Sequence, residues 1–221
     1  MIRVQPAEAP PSFEAKVRIP GLRALAEQVG EPPPTPRTGG RPFKKIAARR
    51  EDIPPKKLRD YWTRALDDLM ERYDYVCAYA CFRIHPVTGA RSVDHMAPKS
   101  RAWDRVYEWS NYRLACSLLN ARKRDFGDVL DPFEIGDDWF ELEFFGFQVL
   151  PRADLDDSVR AQVNATIRRL GLNDDAFLRA RERDVLNYQG GRVSLEVLRE
   201  ESPFVARQLE RQGRLRPDGA R

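Results

Sequence analysis

From Pro54 onward, Leu58, Trp62, Ala65, Leu66, Leu69 and Tyr73 recur at the spacing of one helix face. Pro54–Pro55 suits a first turn, where a missing N–H costs nothing. This pattern predicts one amphipathic helix running to about Tyr73. YVCAYACFRI, Tyr75 to Ile84, is apolar without a period and predicts a buried strand. HPVTGA then turns the chain, and RSVDHM predicts a second, returning strand. Residues 97–110 form a loop holding Trp103 and Trp109, YRLAC is a short apolar strand, and SLLNARKRDF starts a helix with Ser117 near its cap. Phe140, Leu142 and Phe144 alternate with Glu141 and Glu143, and with Gly146 and FQVL they suggest a hairpin. The remainder is helical. One segment spans residues 158–170, with Val159, Val163, Ile167 and Leu170 facing inward. A second spans roughly 174–188, and a third opens at Ser194 and is interrupted at Pro203. No internal repeat is present.

Upstream of this pattern, prolines dominate. Eleven of the 17 fall within the first 55 residues, most densely in GEPPPTPRTGGRP. Such a stretch lacks N–H donors for helix or central strand. Residues 1–52 therefore read as a Pro-rich basic arm or linker, with a short helix around Leu22–Val29. Residues 53–150 read as the main domain, with its preceding helix and following hairpin. Residues 151–221 read as a helical C-terminal extension. The expected class is α+β.

Composition narrows the field. At 42% hydrophobic and 10% aromatic residues, the 221-residue chain has material for a core. No run approaches the roughly 18 apolar residues of a membrane span, no signal-peptide pattern opens the chain, and three cysteines make no disulfide framework. The expectation is a soluble, cytoplasmic protein. The net charge is only +4, but it is unevenly spread. Between Arg37 and Lys57 there are eight bases and two acids, while between Asp125 and Asp157 there are eleven acids and one base. The basic part could meet a phosphate backbone, and both parts could equally be solvated surface.

The candidate chemistry lies in VDHMAPKS, WSNYRLAC and NARK. These supply Asp94–His95, Asn111, Asn120 and Lys123, on strand, loop, strand and helix in turn. A strand end can present Asp94 and His95 at one rim, and the first turns of a helix can bring Asn120 back to it. Phosphodiester hydrolysis needs a base for water, and His serves near neutral pH. A carboxylate and an amide oxygen are hard ligands for Mg²⁺, a Lewis acid at the phosphate. Asn111 can satisfy backbone groups of the loop behind the imidazole. Lys123, with Arg122 and Arg124, can hold flanking phosphates, as can Lys99, Arg101 and Arg113.

In this order of residues the chain resembles the HNH endonucleases. VDHMAPKS followed by WSNYRLACSLLNARK is similar to the HNH proteins of prokaryotic anti-phage defence, the Septu-type and retron-associated nucleases. The motif resemblance covers roughly residues 75–125. It implies a ββα-metal core with His95 as general base, Asp94 and Asn120 as ligands of Mg²⁺ or Mn²⁺, and Asn111 as the orienting residue. It also implies DNA as substrate, antiviral defence as role, and an ATPase or other defence-complex subunit as partner. The third motif position is Asn120 where His is commoner. Many relatives carry two C-x-x-C knuckles around a structural zinc, but here Ala80 and Leu119 stand where cysteines are needed. A shifted set of Cys77, Cys81, His85 and Cys116 has the donor types for zinc at an unusual spacing, so structural zinc is not expected. Two alternatives remain open: a catalytically silent subunit that binds nucleic acid or an ATPase, and an RNA-cleaving nuclease.

Overall fold

The computed structural model describes residues 1–217. The fold is α+β, built from α-helices and two small antiparallel sheets. The chain opens with a wide π-type turn, Glu14–Arg18, which runs directly into helix α1, Ile19–Val29. The wide turn keeps the chain helical across Pro20, which has no N–H to give. Phe13, Val17, Leu25 and Val29 are buried in the core.

The expectation of an extended arm is therefore corrected. Its apolar residues recur every fourth position from Phe13, a helix face partly hidden by the prolines around it. The Pro-rich segment that follows has no regular structure, yet it is tied down. Glu27, on α1, accepts from Arg37 at 2.6 and 2.8 Å and from the Phe43 N–H at 2.8 Å.

The single helix expected from Pro54 to Tyr73 is broken. Short 3₁₀ turns span Pro55–Lys57 and Tyr61–Ala65, and only α2, Leu66–Arg72, is α-helical. Leu58 is extended between the turns, with φ −60° and ψ 136°. The nearby carbonyls take partners from elsewhere: Gln28 donates to Lys57 O at 2.9 Å, and the Tyr107 hydroxyl to Arg59 O at 2.7 Å. Tertiary hydrogen bonds have replaced helical ones.

The run from Tyr75 to Ile84 is a tight knuckle, not a strand. Val76 bridges Arg83, and Cys77 N donates to Phe82 O at 3.0 Å. Asp74, Tyr75 and Cys81 have positive φ, which makes the reversal. Ala78 N donates to Leu114 O at 2.8 Å, fastening the knuckle to the sheet behind it.

That sheet pairs β1, Arg91–His95, with β2, Tyr112–Cys116. Helix α3, Ser117–Lys123, follows β2 without a loop. In the register Asp94 lies opposite Arg113 and His95 opposite Tyr112. A hairpin of β3, Phe140–Leu142, and β4, Val149–Pro151, comes next. Four helices then close the fold: α4 Asp157–Leu170, α5 Asp175–Gln189, α6 Leu195–Glu201 and α7 Pro203–Arg211. Asp156 and Ser194 cap α4 and α6 by accepting from Val159 N and Val197 N. Gln208 of α7 bonds the backbone of Leu142 and Phe140, so the last helix seals the hairpin edge. Among the described residues, no helix is long and apolar enough to cross a membrane.

Candidate active site

The end of β1, the start of the following loop and the first turns of α3 surround an open groove of about 360 Å³. Asp94, His95, Lys99, Asn120, Arg124 and Asp125 are among its lining residues. The local sequence explains the convergence. Because β2 runs directly into α3, the helix starts beside the strand pair, and Asn120, one turn in, reaches β1. Its amide nitrogen donates to Ser92 Oγ at 2.5 Å and to Val93 O at 3.2 Å. Both donor hydrogens are used on β1, so the amide oxygen faces away from the strand. Among the described residues it accepts no hydrogen bond.

His95 is held by packing and by one hydrogen bond. Its ring meets Trp62 edge-on at 5.0 Å and Tyr112 at 5.1 Å. Nε2 lies 3.0 Å from Val106 O. A carbonyl only accepts, so Nε2 carries the proton and Nδ1 keeps the lone pair. Burial, aided by the positive charge of Lys99, pushes the imidazole down to about 3, so it is neutral at physiological pH.

The loop between the strands owes its shape to Asn111, which is fully buried. Its Oδ1 accepts from Ala97 N at 2.7 Å, and its Nδ2 donates to Ala97 O and Arg105 O at 3.1 Å each. One side chain thus ties both limbs of the loop that carries Val106, the acceptor for His95.

Asp94 is 1% exposed at the groove floor. Oδ1 accepts from Lys123 Nζ at 3.1 Å, and Oδ2 accepts from the Tyr79 hydroxyl. Lys123 is itself fully buried, and it also donates to His95 O at 2.9 Å and Met96 O at 3.3 Å. Even with this ammonium beside it, burial holds the Asp94 carboxyl above the usual carboxylate range.

The donors this groove would offer a divalent ion are few. Asp94 retains lone pairs on its oxygens, and the Asn120 amide oxygen is unengaged. Among the described residues no three His, Cys, Asp or Glu side chains converge on one point. The protein therefore offers one carboxylate and one amide, a sparse pair suited to an ion such as Mg²⁺ that keeps several waters.

Of the bases assigned to phosphate, Lys99 and Arg124 line the groove. Lys99 lies 4.0 Å above the Trp62 ring. Three others are corrected. Arg113 is buried, forks onto Asp131 at 2.7 and 2.5 Å and covers the Phe133 ring. Arg122 is spent on Leu170 O and Asp174, joining α3 to the end of α4. Lys123 serves Asp94 and two carbonyls. Trp109 packs in the core, edge-on to Phe13 at 5.5 Å. His85 turns back on its own bend, where Nδ1 accepts from Val87 N and Thr88 N. Tyr79 and Trp62, neighbours of Asp94 and His95, lie outside the VDHMAPKS, WSNYRLAC and NARK motifs. A tyrosine inside an apolar run was the available signal, because a buried phenol needs a partner.

A scan against models of known protein families finds no match, and a search of curated proteins finds none either.

Proposed function

We propose that this chain is a metal-dependent endonuclease of the HNH type that hydrolyses phosphodiester bonds of DNA, as an effector of prokaryotic anti-phage defence. The observation that carries the reading is the groove at the ββα junction. There a neutral imidazole with its lone pair on Nδ1 stands beside one carboxylate and one free amide oxygen. The defence role, and an ATPase-type partner, rest on the motif resemblance alone.

In this reading Asp94 and Asn120 are the residues that would hold Mg²⁺ or Mn²⁺, and the ion would supply Lewis-acid polarisation of the phosphate. His95 Nδ1 takes the proton as the water oxygen bonds to phosphorus, and the ester P–O bond breaks, its oxygen leaving as an alcohol with a proton from solvent. The Val106 carbonyl holds the ring through Nε2–H and stabilises the imidazolium that forms. Lys99 and Arg124 balance charge on the neighbouring phosphates.

The test is cleavage of plasmid DNA and of RNA with Mg²⁺ or Mn²⁺, by the chain alone and with its genomic neighbours. His95→Ala should lower the rate at least about 10²-fold in a chain that still unfolds cooperatively, with its midpoint lowered by the packing lost against Trp62 and Tyr112. Normal cutting by that variant ends the proposal.

A second reading has one observation in its favour. The Lys123 ammonium already sits on Asp94 at 3.1 Å, as a permanent cation would in a silent docking subunit. Calorimetry with Mn²⁺ separates the two, since the silent form takes up no ion at Asp94 and Asn120.

A further inference from the structure

A second open groove, of about 420 Å³, adjoins the first. The two share Pro55 and Lys99 in their walls, so they lie side by side on one face. Lys56, Lys57, Arg59, Asp60 and Trp62 line the new part. None of these belongs to the ββα motif.

We propose that Lys56, Lys57 and Arg59 form a wall that leads a nucleic-acid strand into the His95 groove by pairing with the phosphates on one side of the cut. This inference rests on the nuclease reading above and names how its substrate is held.

Rigidity is the first argument. A run of lysines is usually a loose, solvated face. Here the backbone beneath it is clamped. Gln28 holds Lys57 O at 2.9 Å, Tyr107 holds Arg59 O at 2.7 Å, and Lys57 N donates to Pro54 O at 2.7 Å. Leu58 is buried between them, 6% exposed. Lys56, Lys57 and Arg59 are therefore aimed outward from a fixed support. With the backbone already fixed, only side-chain freedom is lost on binding.

Charge along the two grooves is the second argument. Lys56, Lys57, Arg59, Lys99 and Arg124 face Asp60 and Asp125, while Asp94 is already paired with Lys123. Among the described residues, neither Lys56, Lys57 nor Arg59 makes a salt bridge. Arg59 lies over the Phe43 ring at 4.2 Å, which steadies its plane and leaves its N–H edge for phosphate oxygens.

The experiment measures binding of the full chain to labelled duplex and single-stranded DNA in EDTA, across salt concentrations. No hydrolysis intervenes under these conditions. The triple variant Lys56→Gln, Lys57→Gln, Arg59→Gln should bind about tenfold or more weakly, and the slope of log K against log salt should fall by about 2 to 3, near 0.9 per lost duplex phosphate contact. Arg179→Gln with Arg192→Gln, exposed bases away from the grooves, should leave affinity and slope unchanged. An unchanged slope in the triple variant overturns the wall, and so does the absence of salt-dependent binding by the native chain. If cutting depends on His95 while the triple variant binds as before, only the wall falls. If nothing is ever cut but the triple variant loses its slope, the wall stands and the hydrolytic reading falls.

Discussion

Lys123 is the side chain on which the local electrostatics turn. A fully buried ammonium is held by one carboxylate and two carbonyls, so all three of its hydrogens are used. Lys123→Met fits the space but leaves Asp94 buried with only a phenol beside it. The expected loss is about 3–5 kcal/mol of folding stability. A denaturant midpoint within error of the native chain would show that the pair is not needed. Cys116 offers a second test at this scale. Cys116 N donates to Cys77 Sγ at 3.4 Å, and the neighbouring Cys77 thiol with backbone N–H groups at the start of α3 pushes the Cys116 thiol down to about 6. The Cys77 thiol, beside Cys116 and buried, is raised. A lowered pKa means that the thiolate persists at neutral pH and is lost only on acidification. Cys116 should therefore alkylate first in the native protein near pH 7, with a rate midpoint below pH 9. Equal labelling of all three cysteines by mass spectrometry would contradict the assignment.

Among the elements, what the sequence predicts well is local. RSVDH and YRLAC are short strands and SLLNARK follows as a helix, each set by its own residues and the bends beside it. The C-terminal helices are marked by capping residues and by Pro203, and their observed bounds lie within a residue or two of the expected ones. Asp94, His95 and Asn120 meet on one groove because β2 pairs with β1 and runs straight into α3. The failures involve distant partners. Pro54 to Tyr73 has a helix pattern, but Gln28 and Tyr107 claim its carbonyls from remote segments. The knuckle at 76–83 looked like a strand because its apolar residues give no sign of the positive φ at Cys81. Arg113 and Arg122 looked free because Asp131 and Asp174 lie far along the chain. A periodic pattern reports a face, and it does not report which groups arrive to cover it.

For the molecule as a whole, the uneven charge is partly spent internally. Asp128, Asp131, Asp138, Asp154 and Asp157 of the acidic stretch each pair with an arginine. In the basic stretch Arg37 and Arg50 answer Glu27 and Glu31. Arg41, Lys44, Lys45, Lys56 and Lys57 of this stretch make no salt bridge among the described residues, and of these Lys56 and Lys57 line the second groove. The N-terminal segment is equally committed. Removing residues 1–29 strips Phe13, Val17, Leu25 and Val29 from the core and takes Gln28 from the wall. The shortened chain should lose cooperative thermal unfolding and aggregate, whereas a mere linker would come away without effect. Calorimetry of the truncated chain decides between them.

Tyr107 joins these scales. A side-chain carbon on Gly21 of α1 would fall 2.3 Å from its ring, its hydroxyl supports Arg59, and its face stacks at 6.2 Å on Trp62, which in turn touches His95. Lesions in the first helix would therefore masquerade as damage to the groove. A genetic screen for inactive alleles would return changes at Gly21 beside those at His95, although one has no chemistry and acts only by displacing a shared keystone.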